Sequence, residues 1–175
     1  MEREESIIQS IQKGEYDQFE KLYNSYFDKI YAFILIKTNG NNILTEDICS
    51  ETFLKAFEKI KDFHYENGNF KSWIFTIAYH TFIDFIKTQN PQSLQEWEYQ
   101  EDGNNIIDLF EKKERTREII SYLETLGDGK KDLFLLRIWN QLKYDEIWKI
   151  LGKSEEACRK EFSRILKKLL EKYHQ

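Results

Sequence analysis

Apolar residues along this chain recur every three or four positions, and no run of them alternates convincingly with a period of two. On a helix this spacing puts the apolar side chains on one face, so the pattern predicts an all-helical fold. Seven glycines and a single proline leave few residues that would break a helix. The predicted helices cover 6–13, 15–37, 45–61, 70–87, 111–126, 129–139, 144–151 and 155–173.

Residues that commonly precede helices predict where several of these begin. Thr45 is followed by two acidic residues, whose charge favours the exposed amide groups of a first turn. Asn69, Asp128 and Ser154 stand before later apolar patterns and are also predicted caps. Asparagine and glycine residues between positions 64 and 69 forbid a continuous helix, so a short turn is predicted there.

Proline and acidic residues divide the chain into two predicted domains. The helices of 1–90 form one compact domain and those of 111–175 form a second. Between them Pro91 stops helix propagation, and 91–110 carries five acidic residues and no basic one. We predict that this segment is an acidic linker, by default a solvated tether. An apolar content of 41% is ample for two small cores.

The formal net charge of −5 is distributed unevenly. Residues 1–90 carry a net charge of −4, residues 91–110 carry −5, and residues 111–175 carry +4. Beyond its first turn, the last predicted helix has six basic residues against Glu161 and Glu171. Such a local excess of positive charge is typical of surfaces that hold phosphates.

The last two predicted helices form a helix-turn-helix pattern, because they are separated by a turn at Gly152 and the second is basic. One side of the second helix is apolar. The other side carries Arg159, Lys160, Ser163, Arg164 and Lys167. These residues could face a DNA major groove, or they could serve solubility on an ordinary surface helix; the pattern leaves both interpretations open.

The stretch from Thr45 to Lys87 presents two further candidate surfaces. The predicted buried stripe of its first helix contains Cys49, Phe53, Ala56, Phe57 and Ile60. The opposite side of that helix carries Asp47, Glu51, Lys55 and Glu58. The turn and the start of the next helix bring together side-chain amides and aromatic rings: Asn67, Asn69, Phe70 and Trp73.

Several classes of protein are disfavoured by the sequence. No apolar run approaches a membrane span, and the N-terminal residues are charged where a secretory signal needs an apolar core, so we expect a cytoplasmic protein. Cys49 and Cys158 lie in apolar stripes and are predicted to be buried thiols, not a disulfide or a metal pair. With no nucleophile motif, metal-ligand cluster or phosphate-binding glycine loop, we expect no enzyme, no catalytic residue, no metal and no cofactor.

Three stretches resemble motifs of bacterial RNA polymerase sigma factors of the extracytoplasmic-function group. Residues 47–57, DICSETFLKAF, are similar to that family's DLVQETFLRAW, and residues 70–87, FKSWIFTIAYHTFIDFIK, to its F..WL..IA.N...D..R. Residues 142–169 read LKYDEIWKILGKSEEACRKEFSRILKKL and are similar to LSYEEIAEILGISEGTVKSRLHRARKKL. The order and spacing of these three motifs imply a sigma factor, with a region 2 helical domain and a region 4 helix-turn-helix domain.

The resemblance also implies three surfaces. The surface for the clamp helices of the polymerase's largest subunit comprises Asp47, Glu51 and Lys55. The surface that captures unstacked bases of the minus-ten element comprises Asn67, Asn69, Phe70, Trp73, His80, Asp84 and Lys87. The surface for the minus-35 duplex comprises Arg159, Lys160, Ser163, Arg164 and Lys167. The implied partners are core polymerase, promoter DNA and an anti-sigma factor that holds the protein inactive.

Two finer expectations concern the minus-ten surface and the linker. Phe70 is predicted to be the better base contact, because Trp73 shares an apolar stripe with Ile77 and would lie mostly in the core. The resemblance implies that the acidic linker threads toward the polymerase channels, where its charge could occupy a basic groove that RNA takes later.

The chain also departs from the family's motifs at four positions, which leaves its promoter preference open. Ser50, His80 and Lys143 replace the usual Gln, Asn and Ser, and Glu161 stands where a basic residue is common. Near DNA, Glu161 would either repel phosphate or accept a hydrogen bond from a cytosine amino group.

A second hypothesis of a different class is a stand-alone helix-turn-helix regulator that binds duplex DNA without polymerase. In such a protein the first domain would serve dimerisation or ligand sensing. The low positive charge of the first domain instead predicts weak DNA binding by the free chain, which fits a factor that works only with polymerase.

Overall fold

A computed structural model describes residues 3–88 and 113–173, with side chains described outside 113–117. The chain forms two compact units, Met1–Gly103 and Asn104–Gln175. Each is helical, and the described residues contain no β-strand, so the prediction of an all-α protein with two small domains is confirmed. The acidic linker predicted at 91–110, and with it the predicted domain boundaries, lies outside the described residues.

Four helices build the first unit around one apolar core. They are α1 Glu4–Gln12, α2 Phe19–Lys37, α3 Asn42–Lys59 and α4 Phe70–Thr88. α3 packs against both α2 and α4, and α1 packs against α2 and the turn that follows α3. Their apolar stripes bury Ile30, Ile34, Ala56, Phe75 and Ala78 with no exposed surface. The mixed-charge side of α3 is left on the outside of the unit.

α3 begins three residues before its predicted start. Asn41 is the cap, because its side-chain Oδ1 accepts a hydrogen bond from the Leu44 amide at 3.0 Å. The predicted cap, Thr45, lies inside the helix and is fully buried. Its hydroxyl donates to the Asn41 carbonyl at 2.7 Å and is 2.7 Å from the Thr38 hydroxyl. The predicted N-cap was therefore wrong: Thr45 is a buried polar residue whose hydrogen bonds tie α2 to α3.

Replacing Asn41 by alanine should lower the free energy of unfolding of the first unit by about 1 kcal/mol, since it removes the side-chain acceptor of the helix cap. Urea denaturation followed by circular dichroism measures the loss. Asn41→Asp, which keeps an acceptor oxygen, serves as the control and should be close to the parent. Equal losses in the two variants would contradict a capping role for Asn41.

The connection from α3 to α4 consists of two short 3-10 turns, Ile60–Asp62 and Tyr65–Asn67. Between them Phe63 is buried and anchors the connection in the core. Gly68 has a φ of +134°, a backbone conformation that side chains other than glycine rarely adopt. Asn69 then caps α4 as predicted, because its Oδ1 accepts from the Ser72 amide at 2.8 Å.

The second unit contains the predicted helix-turn-helix. Its helices are α5 Lys113–Thr125, α6 Asp128–Phe134, α7 Tyr144–Leu151 and α8 Glu155–Tyr173, with a π-helical turn at Leu135–Trp139 after α6. Gly152 ends α7 with a φ of 65°, and the Ser154 hydroxyl caps α8 by accepting from the Ala157 amide at 3.2 Å. Asp128 is not a cap but the first residue of α6, preceded by Gly127 with a φ of 91°.

The two cysteines are free thiols buried within their separate units. Burial raises the pKa of the Cys49 thiol to about 12, and the nearby Glu46 adds to the shift. A thiol with so high a pKa is unreactive at neutral pH. Within 3–88 and 113–173, no cluster of three acidic, cysteine or histidine side chains could hold a metal ion. No helix in these ranges is long and apolar enough to cross a membrane.

Candidate functional site

The charged side of α3 forms one edge of a groove between α3 and α4. Asp47 and Glu51 are exposed there, and Lys55 lies half-buried beside them. The Lys55 Nζ is 3.3 Å from a Glu51 carboxylate oxygen and 3.5 Å from the Thr81 hydroxyl on α4. The three residues predicted to bind polymerase therefore lie together on one surface, and Lys55 is oriented by contacts from both helices.

Asp84 lines the same groove from α4, together with Thr81, Phe85 and Thr88. Sequence reasoning assigned Asp84 to the minus-ten surface and Asp47, Glu51 and Lys55 to the polymerase surface. In the structure the two sets meet along this groove. The two candidate surfaces are therefore adjacent in the first unit.

Exposed apolar residues accompany the charged side of α3. Ile43 is 76% exposed, Leu54 is 52% exposed and Phe57 is 38% exposed. The prediction that Phe57 belongs to the buried stripe was wrong: Ala56 and Ile60 beside it are fully buried, whereas Phe57 lies at the edge of the stripe, with its ring against those of Phe19 and Tyr16 at 5.1 and 5.7 Å. Ile43 and Leu54 went unnoticed in the sequence, although they lie 4 residues before and 7 residues after Asp47 and so share its face. Charge alternating with exposed apolar surface is typical of protein-binding faces.

Phe70 is completely buried, which overturns its assignment as the principal base contact. As the first residue of α4, it points into the core, where its ring lies 5.3 Å from the Tyr26 ring and 5.6 Å from the Phe63 ring. A ring in this position could stack on a base only by leaving the core. Trp73, which was predicted to be mostly core, is instead half-buried. Its ring packs at a tilt against that of Phe63, with the centroids 5.2 Å apart, and keeps part of its surface accessible.

The remaining minus-ten candidates follow the exposed side of α4 and the turn before it. Trp73, His80, Asp84 and Lys87 are separated by 7, 4 and 3 residues, so they share one helical face. His80, Asp84 and Lys87 are exposed. Asn67 and Asn69 are exposed in the turn at the start of the same helix. The structure thus places one aromatic ring, two amides and charged groups along a single edge of the first unit.

The predicted minus-35 residues all lie exposed on α8. They are Arg159, Lys160, Ser163, Arg164 and Lys167. Several form ion pairs along the helix: Lys160 lies 2.6 Å from Glu156, and Lys167 lies 3.9 Å from Glu171. Exposed pairs of this kind stabilise a helix only by about 0.3–0.5 kcal/mol, so a phosphate could replace the glutamate partner at small cost.

Arg159 contacts both its own helix and the neighbouring helix α7. Its Nε donates to a Glu155 carboxylate oxygen at 3.0 Å, and its guanidinium lies 4.9 Å from the centre of the Tyr144 ring on α7. Arg137 approaches the same ring at 4.8 Å. The contact between Arg159 and Tyr144 fixes a long side chain before any ligand binds, which lowers the entropy cost of a later interaction.

Glu161 has a partner that sequence reasoning missed. Its carboxylate lies 2.6 Å from the Lys153 ammonium, and the two side chains are 23% and 36% exposed. The pair joins the turn of the helix-turn-helix to the second turn of α8. Glu161 therefore neutralises a lysine of its own domain, which neither of the two predicted alternatives for this residue included.

Comparison with known families identifies both units. A sequence model of Sigma-70 region 2 matches residues 22–92, and one of Sigma-70 region 4 matches residues 116–169. The candidate site residues of α3, α4 and α8 described above all fall inside these two ranges. α1 lies outside them.

Individual relatives agree with the family match. The chain is 27% identical over 157 residues to the ECF RNA polymerase sigma factor BldN of Streptomyces coelicolor, covering 87% of this chain and 59% of that protein. It is 24% identical to the ECF RNA polymerase sigma factor SigM of Bacillus subtilis, covering 89% and 94%. A solved structure of CnrH in complex with the cytosolic domain of CnrY has the same fold, with a TM-score of 0.62, 17% identity and coverage of 95% and 96%.

Region 2 and region 4 occur here in one chain, in the order and with the helical content of a sigma factor. A stand-alone helix-turn-helix regulator would explain the second match but not the first. The chain therefore belongs to the sigma-70 family as a sigma factor of the extracytoplasmic-function group, and acts with RNA polymerase in promoter-specific initiation of transcription.

Proposed function

We propose that this sigma factor divides its work among three surfaces: one that binds core polymerase, one that opens the minus-ten element and one that reads the minus-35 element. The observation that carries the proposal is the match of both regions in one chain, combined with exposed candidate residues in each. Reconstitution tests it. Core polymerase with the purified chain should start transcription at specific promoters, and failure to bind any bacterial core polymerase would contradict the proposal.

The polymerase surface is the α3 side of the groove, with Asp47, Glu51 and Lys55 facing the clamp helices of the largest subunit. Support comes from the exposure of both carboxylates and from the exposed apolar side chains of Ile43 and Leu54 on the same face. Apolar contacts would supply affinity, while the charges would set the register of the two helical elements.

Glu51→Ala should weaken core binding by about 1 kcal/mol or more, which is roughly fivefold in Kd, because it removes a carboxylate from the interface and releases Lys55. A fluorescence titration of labelled sigma factor with core polymerase measures the change. Asp28→Ala, which removes an exposed carboxylate from α2, is the matched control. If both variants bound as tightly as the parent, the polymerase surface would lie elsewhere.

The minus-ten surface is the edge formed by Asn67, Asn69, Trp73, His80, Asp84 and Lys87. Trp73 supplies the accessible aromatic face, and stacking of one base on such a ring contributes about 1–3 kcal/mol. Amides in the turn can read the pairing edges of extruded bases. Capture of the single strand offsets the cost of unpairing, so melting needs no nucleotide hydrolysis by this chain.

The minus-35 surface is the exposed face of α8. In helix-turn-helix proteins the N-terminal part of the second helix contacts base edges, which places Arg159, Lys160 and Ser163 nearest to the bases. Arg164 and Lys167 lie further along and are better placed for phosphates. The exposure of all five supports their availability to DNA.

Regulation and location complete the proposal. An anti-sigma factor would hold the protein inactive by covering one of the three surfaces, and both proteins would work in the cytoplasm with the polymerase. CnrH, which shares the fold, was solved bound to the cytosolic domain of a second protein. The chain itself would contribute no chemical step, since the polymerase makes the RNA.

A further inference from the structure

α1 lies outside the residues matched by region 2, which begin at Leu22. In the structure it is not a detached extension. It packs against α2 and against the turn that follows α3. That turn opens the connection, residues 60–69, which carries Asn67 and Asn69 of the proposed minus-ten surface.

Gln12, at the end of α1, holds the first part of this connection. Its side-chain Nε2 donates to the carbonyl of Ile60 at 3.0 Å and to the carbonyl of Phe63 at 2.8 Å. The two carbonyls bracket the first 3-10 turn and lie 48 and 51 residues away along the chain. A single amide group therefore satisfies both and fixes the direction in which the chain leaves α3.

Glu4, at the other end of α1, holds the second part. Its carboxylate accepts a hydrogen bond from the Tyr26 hydroxyl at 2.5 Å and one from the Tyr65 hydroxyl at 3.4 Å. Burial and the negative charge of Glu4 raise the pKa of Tyr65, so its hydroxyl stays protonated and can donate. The Tyr65 ring lies 5.0 Å from the ring of buried Phe63. Tyr65 begins the 3-10 turn that ends at Asn67.

These contacts matter because the connection has little regular structure of its own. Its backbone hydrogen bonds are those of two single turns, such as Asn67 N–H to the His64 carbonyl at 3.0 Å. Beyond Asn67 the chain passes through Gly68, with its positive φ, into α4. The two anchors from α1 therefore add to buried Phe63 in holding the connection, and short exposed turns with fewer such contacts open locally at low free energy.

We propose that α1 is a positioning element for minus-ten recognition: Gln12, and Glu4 through Tyr65, hold the connection between α3 and α4 so that Asn67 keeps the geometry in which it meets an extruded base. The inference rests on the proposed function of that surface. Fixing a loop before binding lowers the ordering cost that base capture would otherwise incur. Neither Gln12 nor Tyr65 needs to touch DNA.

Gln12→Met tests the proposal, because methionine keeps the length of the side chain and removes both donors. Gln9→Met is the matched control: Gln9 is exposed on the same helix, and its side-chain amide donates to the Glu5 carboxylate, 4 residues away, at 3.5 Å. With the full chain and core polymerase, three quantities are measured: core affinity, minus-ten discrimination between intact and base-substituted promoters, and hydrogen exchange of residues 64–69.

The expected result is a selective defect. Gln12→Met should lose roughly tenfold in minus-ten discrimination and speed exchange at 64–69 by a similar factor, the size expected for two lost hydrogen bonds. Core affinity and dependence on the minus-35 element should match those of Gln9→Met. A promoter already unpaired at the minus-ten element should restore much of the open-complex yield.

Two results would overturn the inference. One is a Gln12→Met protein that discriminates minus-ten sequences as well as Gln9→Met does; the other is a parallel fall in core affinity and discrimination, which indicates general destabilisation. Should Gln12→Met fail to fold, Tyr65→Phe decides by the same criteria, since it keeps the ring on Phe63 and removes the hydroxyl that meets Glu4. If the parent itself shows no minus-ten discrimination, the proposed function fails instead.

Discussion

Replacing Phe70 by alanine should lower the free energy of unfolding of the first unit by about 3–5 kcal/mol, the usual cost of removing a buried phenyl ring. The ring has no exposed surface and lies among Tyr26, Phe63 and Trp73 at centroid distances of 5.3–5.6 Å. Its loss would leave a cavity where α2, α4 and the connection meet. Since small domains are stable by only about 5–15 kcal/mol, this loss would remove a large part of the stability of the first unit.

Thermal and urea denaturation measure this effect, and Trp73→Ala provides the comparison. Trp73 is only half-buried, so its removal should cost less stability. It should instead make the free energy of promoter opening less favourable by about 1–3 kcal/mol, the contribution of one stacked base. The two variants should thus separate, with Phe70 affecting stability and Trp73 affecting opening. A Phe70→Ala protein as stable as the parent but defective in opening would restore the original assignment of Phe70 as a base contact.

Replacing Arg159 by alanine should reduce discrimination between intact and substituted minus-35 elements by about 1–3 kcal/mol, the value of one good side-chain-to-base contact. The residue lies in the second turn of α8, in the N-terminal part of the helix that we propose contacts the bases. Glu155 and the Tyr144 ring already hold its guanidinium, so little ordering remains to be done on binding. Transcription from promoters that differ only in the minus-35 element measures the loss.

Two controls distinguish base reading from phosphate contact. Arg159→Lys keeps the charge but cannot form the bidentate hydrogen bonds of a guanidinium, so it should behave like the alanine variant if Arg159 reads a base. Lys167→Ala should weaken binding equally on every minus-35 sequence and reduce the salt dependence by about one phosphate contact. Equal loss on all sequences for Arg159→Ala would assign that residue to the backbone instead.

The pattern of apolar residues was sufficient for the secondary structure and for the faces of the long helices. A period near 3.6 depends only on local spacing, so it predicted every helix of the described residues, the caps Asn69 and Ser154 and the exposed basic side of α8. The motif resemblance identified the family, because sigma factors keep their residue types at fixed spacing along these same helices.

Local spacing could not decide how the ends of helices are oriented. Phe70 and Trp73 are three residues apart on one face, and which of them enters the core depends on where α4 crosses α2 and Phe63. Thr45 and Asn41 are both good capping residues, and the choice between them was made by the turn from Thr38, whose hydroxyl lies 2.7 Å from that of Thr45. Packing between elements settled both.

By itself, then, the sequence determined that this protein is helical, that it carries sigma regions 2 and 4, and which sides of its helices are charged. Only the tertiary structure decided which aromatic ring stays accessible, that Glu161 is paired with Lys153, and that Gln12 holds carbonyls 48 and 51 residues away. The reason is physical: periodicity reports contacts within one helix, whereas these features arise from residues distant in sequence that meet only when the helices pack.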